Sequence, residues 1–113
     1  LKIIDMYTKA NMDEITSLIQ VYLPEVDSIY LFGSYSKEAA HEGSDIDITI
    51  IMNSEPQWRE RKQLLNNLYR ETGRRGLDVD FLLKTKESFN RDKQLPTLSR
   101  VIDREGQLLW MRN

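Results

Sequence analysis

The chain has 113 residues, 40% hydrophobic and 30% charged, with a formal net charge of -2; that length suits one domain over residues 1–113 with a modest core and no large separate substrate domain. It contains no cysteine, which excludes disulfides and thiolate zinc sites and suits a reducing cytoplasm. No basic tract favours direct nucleic-acid binding, and neither a membrane-length apolar run nor a signal-peptide pattern is visible.

Met12, Ile15, Leu18, Ile19, Tyr22 and Leu23 recur at helical spacing, with Asn11 or Asp13 as candidate cap and Pro24 as the stop. Ser28 to Phe32 is a β-rich apolar run ending at Gly33 and is predicted to be a buried strand. A polar loop from Gly33 to Ser44 follows, with a helical turn around Ser36 to His41. Asp45 to Met52 alternates at its start, which predicts a strand with Asp45, Asp47 and Thr49 on one face and Ile46, Ile48 and Ile50 on the other. Pro56 is expected to open a helix reaching about Thr72, with Trp58, Leu65, Leu68 and Tyr69 as its apolar stripe. After a turn from Gly73 to Gly76, Leu77 to Leu83 is expected as a third strand, with Asp78 and Asp80 on one face and Val79 and Phe81 on the other. Short helices are predicted over Lys86 to Asp92 and Thr97 to Glu105, the latter stopped by Gly106, and Leu108 to Met111 as a closing edge strand. This α-β-α-β-α-β-α-β order implies an α/β (α+β) fold, a small mixed β-sheet flanked by helices.

Three features carry chemistry: Gly33-Ser34 directly after a strand, Asp45-x-Asp47 at the start of the next, and Asp80 inside a later one. If the first two strands are antiparallel, the glycine turn and both aspartates fall at one edge of the sheet; a parallel pair would separate them. Asp45 and Asp47 share a face at roughly 6–7 Å between Cα atoms, close enough to repel unless a cation lies between them. Mg²⁺ takes carboxylate oxygens together with substrate phosphate oxygens, and a pair of such ions clamps an in-line displacement. Asp80 would complete the ligand set, while Asp78, on the same face, reads as a solvated strand-start residue.

Gly33 offers a phosphate close approach to the backbone. Ser34 adds a hydroxyl near the start of the helical turn, and Lys37 meets a triphosphate as a point charge. Ser44 is counted with these nucleotide-binding candidates as a loop hydrogen bonder, not a nucleophile, since no base partner for it is visible. His41, Arg74, Arg75 and the run Arg59-Glu60-Arg61-Lys62 read as solvated surface. Trp58, Tyr69 and Trp110 read as core or partner-facing.

The stretch GSYSKEAAHEGSDIDI, with ten residues between Gly33-Ser34 and Asp45-x-Asp47, closely resembles the signature of the DNA polymerase β-like nucleotidyltransferase superfamily, above all its minimal single-domain bacterial and archaeal members. The likeness is strong from Ser28 to Met52, continues through Asp80 in DVDFLL and runs loosely to REG-x-LLW at Trp110. It implies a polymerase β-like fold and transfer of a nucleoside monophosphate, AMP from ATP foremost, to an acceptor hydroxyl. It also implies that Asp45 and Asp47 ligate both of two Mg²⁺ ions, that Asp80 ligates one and helps deprotonate the acceptor, and that Gly33 and Ser34 bind the triphosphate. Relatives often carry Arg at Lys37 and Gly at Glu38; Lys37 holds phosphate without bidentate geometry, and Glu38 adds negative charge there.

Single-domain members are often antitoxins, so the resemblance implies a helical HEPN-type toxin as partner, an RNase neutralised by AMPylation of a tyrosine. Two other readings stand beside this one. The first is a non-catalytic module that caps a partner. The second is a small-molecule nucleotidyltransferase of the aminoglycoside-modifying kind that borrows its acceptor domain from a second subunit. Base preference, acceptor and oligomeric state, a homodimer included, stay open at this stage.

Overall fold

The computed structural model describes residues 9–33 and 46–113. Their elements, in chain order, are α1 (Lys9–Tyr22), β1 (Val26–Phe32), β2 (Ile46–Met52), α2 (Trp58–Arg74), β3 (Val79–Thr85), α3 (Lys86–Asp92), α4 (Leu98–Glu105) and β4 (Gln107–Met111). The strands form a four-stranded sheet in the order β3-β2-β1-β4. β1 runs antiparallel to both β2 and β4, whereas β2 and β3 are parallel. The sheet is therefore mixed, and α2 is the crossover that a parallel pair requires. Strict helix–strand alternation gives way near the C-terminal end, where α3 and α4 follow one another. Pro96 lies between them and Thr97 restarts the helix, its hydroxyl accepting from the Arg100 N–H.

Helices cover both faces of the sheet. On one face Ile46, Ile48, Ile50 and Met52 of β2 belong to a core that includes Ile15, Leu18 and Ile19 of α1 and Leu68 of α2. On the other, Ile51 packs with Phe89 of α3 and Ile102 of α4, and Tyr30, Phe32 and Leu82 lie against them. This second layer covers the face of β2 that carries Asp47 and Thr49. Thr49 follows the predicted alternation from Asp47 but is completely buried, because α3 and α4 roof that part of the sheet.

Element ends shift for local reasons. β1 starts at Val26, ahead of the expected Ser28, because Val26 pairs with Met52 across a register irregularity. α2 starts at Trp58, after Pro56, because Gln57 is extended (φ -61, ψ 150). It runs on to Arg74, where Arg75 caps it and the left-handed Gly76 (φ 74) turns the chain toward β3. β3 starts at Val79 and ends at Thr85 because it follows β2 residue by residue, from Ile46 opposite Val79 to Met52 opposite Thr85. The apolar stripe expected on α2 holds at Leu65 and Leu68 but not at Trp58, which is 69% exposed and carries the Arg59 guanidinium over its ring. The first turn of α2 contributes nothing to the core; Leu64 packs there in its place. Among the described residues, no helix is long and apolar enough to cross a membrane.

Candidate active site

β1 ends at Phe32, and Gly33 turns the chain with φ 81, a left-handed conformation that glycine adopts without penalty. In the antiparallel β1–β2 ladder Phe32 stands opposite Asp47. In the parallel β2–β3 ladder Asp47 stands opposite Asp80. Phe32, Asp47 and Asp80 thus form one row across three strands, at the end where β1 finishes and β2 and β3 begin. Register partners on neighbouring strands lie about 4.8 Å apart and direct their side chains to the same face. The antiparallel arrangement expected of the first two strands is the one observed, and it sets the glycine turn beside Asp47.

The local sequence explains this placement. Ile46-Asp47-Ile48 and Val79-Asp80-Phe81 are the same apolar–acid–apolar triplet, and the parallel register stacks them position for position. The flanking Ile46, Ile48 and Val79 are buried and Phe81 packs against the same core, which fixes which way the acids face. A backbone bond from the Ile46 N–H to the Asp78 carbonyl (2.9 Å) closes the start of the β2–β3 ladder. Asp47 is half-buried and Asp80 exposed, so both are within reach of solvent-borne ligands. Asp78 is exposed and precedes β3, whereas Asp80 lies within the strand.

Two carboxylates on adjacent strands form an all-oxygen donor set of the kind Mg²⁺ takes. Among the described residues no group of three or more histidine or acidic side chains is placed to hold a metal ion; Asp47 and Asp80 are the register-paired acids that could contribute donors. The expected third, Asp45, lies outside the described residues, as do Ser34, Lys37 and Ser44 from the nucleotide-binding set and His41 and Glu38. Of that set, Gly33 is the one brought to Asp47: a Cβ built on it would overlap Oδ2 of that side chain.

Two residues have supporting roles that their sequence pattern did not convey. Tyr69 of α2 accepts a hydrogen bond from the Phe81 N–H (3.0 Å), and Arg61 donates to the Leu83 carbonyl (3.1 Å). Both bonds fall on the outer edge of β3 and hold the strand that carries Asp80. Tyr69 was expected in the apolar stripe of α2 and Arg61 on its solvated face, and neither pattern shows a bond to β3 until that strand is known to lie at the sheet edge. Arg75, expected to solvate a turn, ion-pairs with Glu14 of α1 at 2.7 Å.

Comparisons with known proteins agree with this geometry. A family model described as Polymerase beta, Nucleotidyltransferase matches residues 13–113. Over 41 residues the chain is 44% identical to the protein adenylyltransferase MntA of Shewanella oneidensis, a match spanning 36% of this chain and 30% of that relative's length. A chain in the crystal structure of a toxin–antitoxin with AMP-PNP superposes with a TM-score of 0.65 at 27% identity, covering 91% of this chain and 75% of the other. A chain in the structure of a tri-AMPylated Shewanella oneidensis HEPN toxin in complex with MNT antitoxin superposes with a TM-score of 0.56 at 25% identity, covering 92% and 72%.

Proposed function

The chain belongs to the polymerase beta nucleotidyltransferase family, and from that premise we propose that it transfers AMP from ATP to a tyrosine hydroxyl of a helical HEPN-type toxin, acting as the antitoxin of the pair. The observation that carries this reading is the register pairing of Asp47 with Asp80 beside Gly33. Similarity to an adenylyltransferase and to a complex of an antitoxin with an AMPylated toxin supports the choice of group and acceptor. A cytoplasmic setting, where ATP and Mg²⁺ are at hand, goes with it.

In this reading Asp45, Asp47 and Asp80 hold two Mg²⁺ ions. When bound, these supply the positive charge that activates the acceptor oxygen and steadies the departing pyrophosphate. Gly33, Ser34, Lys37 and Ser44 hold the triphosphate so that its α-phosphorus faces the acceptor, and positioning of this kind supplies much of the rate. Asp80, exposed near the start of β3, takes the proton of the incoming tyrosine hydroxyl. The bond formed joins that oxygen to the α-phosphorus, and the bond broken releases pyrophosphate.

The test incubates the chain with α-labelled ATP, Mg²⁺ and its HEPN-type partner. Label on the partner's tyrosine, absent with Asp47→Asn and Asp80→Asn, is the expected result. Neutralisation of the toxin by those variants with no label transferred by the wild type would replace the enzyme by a binding module.

A further inference from the structure

Glycine after the first strand invites the view that it clears the way for a phosphate. Its surroundings give it a second task. A Cβ built on Gly33 would overlap Oδ2 of Asp47 and stand 3.3 Å from its Cγ and 3.5 Å from its Cβ. The space that a side chain at 33 would fill is thus already taken by the Asp47 carboxylate. The backbone at Gly33, with φ 81, directs the missing side chain at β2, and Phe32, the preceding residue, is the register partner of Asp47. Neither strand can slide to relieve an overlap, because Leu31 and Ile48 on the adjoining row are buried in the core.

We propose that Gly33 is a positioning residue for Asp47: its missing side chain leaves the slot that the Asp47 carboxylate occupies, on the sheet face it shares with Asp80. The inference rests on the reading of Asp47 as a metal-holding group. Any Cβ at position 33 swings that carboxylate out of this slot about its own side-chain torsion, with the backbone of both strands in place. The loss falls first on metal binding, because Gly33 acts through Asp47.

Two measurements test this. The first is Mn²⁺ binding, followed by the loss of free-ion electron paramagnetic resonance signal, in wild type, Gly33→Ala, Gly33→Asn and Asp47→Asn. Residues that orient a ligand typically cost about 10–100-fold in metal affinity when changed, and a loss of that size is expected for both Gly33 variants. Asparagine tolerates positive φ far better than alanine but keeps the Cβ. Wild-type affinity in Gly33→Asn would therefore trace the alanine defect to backbone strain and overturn the proposal. The second is a thermal-unfolding cycle without metal. Gly33→Ala carries the backbone strain of φ 81 in both backgrounds, so its drop in Tm is expected to be larger in the wild type than in Asp47→Ala, where Oδ2 is gone; equal drops in the two backgrounds would overturn the proposal. If wild type bound Mn²⁺ no better than Asp47→Asn, the metal role of Asp47 would fail, while the unfolding cycle would still decide the steric relationship on its own.

Discussion

The backbone N–H of Phe81 donates to the hydroxyl of Tyr69 at 3.0 Å, and the two rings meet edge to face at 5.2 Å between centroids. Two residues on, Arg61 caps the Leu83 carbonyl. β3 is an outer strand, and an unprotected outer strand offers its backbone to any passing chain. α2 occupies that edge and, in doing so, steadies the residue next to Asp80. Tyr69→Phe keeps the ring contact and removes the acceptor. It is expected to cost about 0.5–1 kcal/mol in urea unfolding and to speed hydrogen exchange of the Phe81 amide. Unchanged exchange at that amide would show that the hydroxyl does not hold the strand.

Thr49 is fully buried and its hydroxyl has no hydrogen-bond partner among the described residues. A buried hydroxyl without a partner bears an uncompensated desolvation cost of roughly 1–3 kcal/mol. Thr49→Val replaces it with a methyl group of similar shape and is expected to leave stability unchanged or raise it by up to about 1 kcal/mol, read from the denaturation midpoint. A clear destabilisation would mean that the hydroxyl is bonded in solution.

Leu68 is the fully buried leucine of α2, packed in the same core as Ile15, Ile19 and Ile48. Leu68→Ala leaves a cavity and is expected to cost about 2–5 kcal/mol. Domains have a total stability of about 5–15 kcal/mol, so the expected result is a large fall in Tm or a chain that no longer folds. A loss under about 1 kcal/mol would indicate that α2 does not depend on this contact.

Burial first, and then the charges of Asp103 and Asp27, push the Tyr30 phenol above its ordinary value of 10.0. The folded state therefore keeps the phenolic proton longer than the unfolded chain. The associated stability is complete below pH 10.0 and drains away as pH climbs from there through the raised folded value. Tyr30→Phe preserves the contact with Phe89 (5.7 Å between centroids) and abolishes this titration. Stability compared at about pH 9 and about pH 11 is expected to fall further in the wild type than in Tyr30→Phe. Parallel losses would assign the alkaline change to other groups.

Asp78 and Asp80 alternate on one side of the chain but differ in station, Asp78 before β3 and Asp80 opposite Asp47. Removing a general base typically costs about 10²–10⁴-fold in rate, and Asp80→Asn is expected to lose at least that much AMP transfer. Asp78→Asn is expected to stay within a few-fold of wild type. Equal losses from the two variants would remove the special role of Asp80.

The alternating acids were the most legible part of this chain. Ile46-Asp47-Ile48 and Val79-Asp80-Phe81 announce half-buried strands, and the glycine at 33 marks the turn that joins their edge. What local pattern could not convey was the second helical layer. α3 and α4 are short, and each is anchored in the core by one large apolar residue, Phe89 and Ile102, too little periodicity to foretell that Thr49 would be covered. Trp58 misled for the opposite reason. Its spacing fits the stripe of Leu65 and Thr72, yet the first turn of α2 lies away from the core. The roles of Tyr69 and Arg61 depend on β3 being outermost, a property of the sheet order and not of any window of residues.

The crossover through α2 ties competence to completion of the fold. β1 and β2 are neighbours in the chain order, but β3 joins them only after α2 has traversed the sheet, and such distant pairings come late because the entropy of closing the connection must be met first. A nascent or partly unfolded chain holding only the first hairpin presents Asp47 without Asp80, its register partner in the finished sheet. On the proposed function, half-made copies lack one of the three metal-holding acids until β3 has docked.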